Sequence, residues 1–106
     1  MKKVLLSIRE RLELPSVLPE RGAFVQQEIV DLIKKMIKFT AAEIEEFKMT
    51  DLPDGRTAWS VEAAKEVEYE FEDSFIEVMK KGVDQLDKAE AIHTSMFEMC
   101  KKIREL

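Results

Sequence analysis

Cysteine is almost missing from this 106-residue chain. Cys100 is the only one, so no internal disulfide can form, and the expectation is a fold that rests on its core in a reducing compartment. Glycine is equally scarce. Gly22, Gly55 and Gly82 stand far apart, which excludes a glycine-rich phosphate loop. No apolar run approaches the 18 or so residues that a membrane span needs, so no membrane association is expected. Met1-Lys2-Lys3-Val4-Leu5-Leu6 opens like a signal peptide, but Ser7, Arg9, Glu10, Arg11 and Glu13 interrupt it, and a cytoplasmic protein is expected. Basic excess is lacking too: 17 Lys and Arg oppose 22 Asp and Glu, a formal charge of −5.

The apolar share of 45% and charged share of 37% are those of a globule with a solvated surface, not of a disordered chain. Residues 1–106 form one expected domain, since this length leaves no room for two cores. The acidic surplus lies entirely in the second half. Between Glu62 and Glu77 seven acidic residues meet one lysine, the opposite of a nucleic-acid binder's bias.

A hydroxyl residue followed three positions later by Glu occurs at Ser7…Glu10, Thr40…Glu43, Ser74…Glu77 and Ser95…Glu98, each ahead of apolar residues at helical spacing. In such a capping box the hydroxyl accepts from a free N–H of the first turn and the Glu accepts from the cap's own N–H. Five helices are expected. The first runs from Ser7 to Leu14 with Leu5, Ile8 and Leu12 along one side, and ends at Pro15. The second, Ala23 to Ile37, carries so broad an apolar stripe that it reads as a central helix covered on more than one side. Thr40 to Phe47, Ser74 to Lys88 and Ser95 to Arg104 complete the set, the last with Met96, Met99, Cys100 and Ile103 together.

Between the third and fourth helices the apolar period falls from 3.6 to 2. Leu52-Pro53-Asp54-Gly55 suits a tight turn, and Thr57, Trp59 and Val61 alternate after it, as Phe47 and Met49 do before it. Val67, Tyr69 and Phe71 alternate again, so a hairpin plus a third strand is expected, with Val61 to Glu66 as a loop or single helical turn. The fold class is α+β, mostly helical, with a three-stranded antiparallel meander between helices 3 and 4. This register puts Trp59 and Tyr69 on the apolar side, with Trp59 against the second or fourth helix.

Leu18-Pro19-Glu20-Arg21-Gly22, Phe39 to Phe47, the lone Trp59, Glu68-Tyr69-Glu70-Phe71-Glu72 and Ile76 to Asp87 follow one another in an order that resembles short uncharacterised bacteriophage and prophage proteins of about a hundred residues. The resemblance spans most of the chain as an order of segments. It implies a phage origin and a host-cytoplasmic setting, and brings no catalytic residue with it.

Candidate chemistry is sparse. His93 and Cys100 are the only soft metal ligands, whereas a structural zinc site takes four ligands and a catalytic one about three, so no metal is expected. As a nucleophile pair they fail on distance, being two helical turns apart, and Met96, Met99 and Ile103 around the thiol predict inertness. Asp51 and Asp54-Gly55 lack the alternating ligands of a calcium loop. No catalytic residue and no cofactor is expected. The least ordinary feature is the acidic ladder Glu66, Glu68, Glu70 and Glu72 on one strand face, which either blocks unwanted edge pairing or docks a basic partner.

These readings converge on a non-enzymatic protein-interaction module, a phage-type accessory protein with a protein partner. The alternative is a winged-helix-like nucleic-acid-binding regulator, with Lys34, Lys35, Lys38, Lys48 and Arg56 as phosphate contacts. Its third helix would turn Glu43, Glu45 and Glu46 toward phosphates, so nucleic acid is not the expected partner.

Overall fold

Val4 and Leu6 are buried while Lys3 and Leu5 are exposed, the alternation of a strand with one face on the core, and Lys2–Leu6 is such a strand. The computed structural model describes residues 1–106. In chain order it has β1 (Lys2–Leu6), α1 (Ile8–Val17), α2 (Phe24–Ile37), α3 (Ala41–Glu46), β2 (Thr50–Asp51), β3 (Thr57–Ala58), β4 (Val67–Phe71), α4 (Asp73–Lys88) and α5 (Phe97–Arg104). The α+β class and the five helices hold. The three-stranded meander does not: β2 and β3 form a short hairpin by themselves, and β4 pairs antiparallel with β1. Tyr69 stands opposite Val4 and Glu70 opposite Lys3. Pairing with β1 lets Val4, Leu6 and Phe71 close the core from one side, which the two-residue β3, outside the core cluster, could not do.

Two capping boxes form as the spacing predicts. Ser7 Oγ accepts from the Glu10 N–H at 3.2 Å, and Glu10 accepts from the Ser7 N–H at 2.9 Å. Thr40 and Glu43 repeat the arrangement at 3.1 and 3.0 Å. The other two do not form. β4 runs to Phe71, so Glu72 becomes the N-cap of α4 and Ser74 already lies in its first turn. At the last helix the His93 ring accepts from the Ser95 N–H at 3.2 Å and starts a 3₁₀ turn over Thr94–Met96, so Ser95 is not the cap.

Pro15 does not end α1. The helix runs one turn further because Val17 and Leu18 reach the core at 1% and 3% exposure, and their burial offsets the hydrogen bond that Pro15 cannot donate. Pro19 follows directly. The buried face of α1 is Ile8, Arg11, Leu14 and Val17, while Leu12 is exposed, contrary to the expected line through Leu5, Ile8 and Leu12. α1 also crosses α4 closely: a Cβ built on Gly82 would stand 2.2 Å from the Val17 carbonyl oxygen.

α2 packs on α4, and its buried residues are Val30, Ile33 and Ile37. It is not the enclosed central helix that its broad stripe suggested, because Phe24, Val25, Leu32 and Met36 face solvent. Trp59 is half-buried, in a shallow recess beside Ser7, Ile8 and Ala64, and Tyr69 lies in the other sheet. The expected packing of Trp59 on the second or fourth helix therefore fails with the meander that implied it. No helix is long and apolar enough to cross a membrane.

Candidate functional site

β4 places the acidic residues differently along its length. Glu68 and Glu70 lie within the strand, exposed, on the face opposite Tyr69 and Phe71. Across the ladder their neighbours are Leu5 and Lys3, so the outer face of the β1–β4 pair carries two carboxylates, one ammonium and a Leu5 that is 49% exposed. Glu66 precedes the strand and lines an open cleft of about 560 Å³ with Glu10, Glu98, Lys101 and Lys102. Glu72 follows the strand and caps α4. All four are exposed and none is in an ion pair, the molecule's ion pairs lying elsewhere. The expected four-step ladder is thus two adjacent strand carboxylates with one more beyond each end.

The densest polar arrangement was not singled out by sequence. Arg11, 3% exposed, donates from Nε to the Ile37 carbonyl at 3.1 Å and from Nη2 to the Lys38 carbonyl at 3.2 Å. Its guanidinium also grips Glu43 with two bonds, at 2.6 and 3.0 Å, and lies 3.9 Å over the Phe39 ring with Tyr69 at 5.6 Å. A cation here completes the bare carbonyls at the end of α2, and the fork shape of arginine matches the carboxylate. Hydrogen bonding to Arg11 holds the Glu43 carboxyl down at about 2. Burial pushes the Tyr69 hydroxyl above its usual range. One sequence signal existed: Arg11 occupies the three-residue repeat Ile8, Arg11, Leu14, where a charge in a buried row requires a partner. Every bond of this cluster is internal, so it joins α1 to the corner between α2 and α3 and offers no group for chemistry.

Cys100 is buried at 3% exposure, and burial pushes its thiol up, away from the reactive thiolate. His93 is exposed and occupied at Nδ1 by Ser95, whose hydroxyl is 2.8 Å away. No group of three or more His, Cys, Asp or Glu side chains is arranged to hold a metal ion. Asp54 bonds the Arg56 side chain at 2.6 Å and its N–H at 3.1 Å, closing the turn in which Gly55 takes φ 88°. The lysines proposed for phosphate contact are exposed, but Lys35 pairs with Asp31 at 2.9 Å and Arg56 with Asp54. α3, which would have to enter a groove, is six residues long with Glu45 and Glu46 exposed.

The fold defines a small α+β domain of five helices and two two-stranded antiparallel sheets. No family model, curated protein or solved structure matches the chain.

Proposed function

We propose that the chain is a non-enzymatic protein-interaction module of the phage-accessory type, working in the cytoplasm, which holds a basic protein partner on the outer face of β1 and β4. The observation that carries this reading is the pair Glu68 and Glu70: exposed, free of ion pairs, and on one face of the β1–β4 pair with an exposed Leu5 opposite Glu68. Unpaired carboxylates on a strand give charge complementarity to lysine or arginine, and Leu5 adds apolar area beside Glu68. The phage assignment is supported by the order of segments in the sequence.

The test is a labelled peptide of alternating lysine and leucine, followed by fluorescence anisotropy at ~50 and ~300 mM salt. Binding is expected, weaker at the higher salt, and at least ~10-fold weaker for the double variant Glu68→Gln, Glu70→Gln. That variant keeps the native circular dichroism spectrum. Equal affinity of variant and parent, or unfolding of the variant, overturns the assignment. Binding of duplex DNA with a steep salt slope would replace it by the winged-helix alternative and its Lys34, Lys35 and Lys38 contacts.

A further inference from the structure

The solvent face of α2 has a regular repeat. Val25, Ile29, Leu32 and Met36 follow one another by four, three and four residues, which is the a/d spacing of a coiled-coil seam, with Val25 and Leu32 at d and Ile29 and Met36 at a. Val25 is 66% exposed, Leu32 48% and Met36 38%, while Ile29 is half-buried against the core. The seam lies beside, and not on, the buried row Val30, Ile33 and Ile37 that holds α2 to the domain. The rest of the chain leaves Val25, Leu32 and Met36 open to solvent and covers Ile29 only in part.

Charge on the two flanks of this seam separates the possible occupants. One flank, the e positions, holds Gln26 and Ile33, and both are turned to the chain's own fold: Lys81 donates to the Gln26 side-chain Oε1 at 2.7 Å, and Ile33 is fully buried. The other flank, the g positions, holds Glu28 and Lys35, both exposed. In a parallel helix pair g meets e of the partner, where this chain has no charge to offer. In an antiparallel pair g meets g, so Glu28 stands opposite the Lys35 of a second copy and Lys35 opposite its Glu28. The same register sets Val25 against the second Met36 and Ile29 against the second Leu32, about a dyad midway between Ile29 and Leu32. Lys35 is held within its own chain only by Asp31, an exposed i,i+4 pair at 2.9 Å of the kind that contributes little and exchanges readily.

We propose that α2 is a self-association surface, and that its occupant is the antiparallel α2 of a second copy of this chain in a twofold dimer. The helix has 14 residues, about 21 Å at 1.5 Å per residue, so the interface is at the small end of specific contacts and the dimer is a weak one. It uses a face distinct from the acidic sheet surface, and the two readings stand or fall separately.

Sedimentation of the full chain between ~10 µM and ~1 mM should show the mean mass climbing from monomer toward dimer, as a small interface requires. Leu32→Glu should abolish the climb, and its exposure means that the fold survives. Glu28→Lys alone and Lys35→Glu alone should each weaken dimerisation at least ~10-fold by setting like charges across the dyad. The double variant Glu28→Lys, Lys35→Glu should restore it, because the pairs re-form with signs exchanged. A strict monomer at ~1 mM, dimerisation indifferent to Leu32→Glu, or a double variant no better than the singles each overturns the proposal.

Discussion

Arg11 and Glu43, 32 residues apart, are joined by a two-bond ion pair in which the arginine side chain is 1% and the glutamate 20% exposed. Glu43 is at the same time the third residue of the α3 capping box, accepting from the Thr40 N–H. One carboxylate therefore starts one helix and neutralises the cation that finishes another.

Removing Glu43 leaves the buried Arg11 guanidinium without its counter-charge, and removing Arg11 leaves a part-buried Glu43 with only the Thr40 N–H as donor. Arg11→Ala is expected to cost about 3–5 kcal/mol, since it strands Glu43 and two carbonyls at once. That is a large share of an ordinary domain's stability, and urea denaturation at neutral pH measures it. Arg11→Lys should recover only part of the loss, because an ammonium cannot make the forked contact.

The same pair sets the acid limb of stability. The folded state holds Glu43 at about 2 against an ordinary 4.5, so the stabilisation is fully present above about pH 4.5 and is lost as pH falls toward 2. A lowering from 4.5 to about 2 corresponds to an upper limit of ~3.5 kcal/mol, which the 20% exposure of the carboxylate reduces. Denaturant midpoints measured from pH 7 to pH 2 should fall steeply over that window. For Glu43→Gln the curve starts lower at pH 7 and is flatter below pH 4.5.

Gly82 offers a test with a sign. Alanine in the middle of an exposed helix is ordinarily better than glycine by about 1 kcal/mol. Here the added methyl would meet the Val17 carbonyl oxygen and Pro19, and the former is backbone that cannot step aside. Gly82→Ala should therefore destabilise by about 1–3 kcal/mol, read as a lower melting temperature. A rise in melting temperature would mean that α1 and α4 are not in this close contact.

Lys48 and Glu90 both sit at φ 54° just past helix ends, α3 and α4 respectively. At each end the next residue's N–H reaches back to the helix, Met49 to the Ile44 carbonyl and Ala91 to the Leu86 carbonyl, both at 2.9 Å. This is the geometry that glycine usually occupies. Lys48→Gly and Glu90→Gly should each stabilise by roughly 0.5–1 kcal/mol, as relief of the left-handed strain exceeds the added chain entropy. The melting temperatures of the two singles and the double variant check it.

Several parts of the fold are legible in the residues themselves, because their signals are local. Thr40 and Glu43 need only three residues between them to define the start of α3, and Pro53 and Gly55 specify their turn by their own backbone preferences. The row Met99, Cys100 and Ile103 predicts the buried side of α5 from spacing alone. What tertiary structure decided is non-local. β4 alternates equally well beside β3 or β1, and only the core that Val4, Leu6 and Phe71 close together selects β1, some 61 residues away. The breadth of the α2 stripe states how much apolar surface exists, not which part a neighbour covers, so Val25 and Leu32 read like Ile33 until the chain is folded. Arg11 and Glu43 likewise look like two ordinary surface charges in sequence. They become one largely buried pair because α1 is laid across the corner between α2 and α3, where neither charge has another counter-ion.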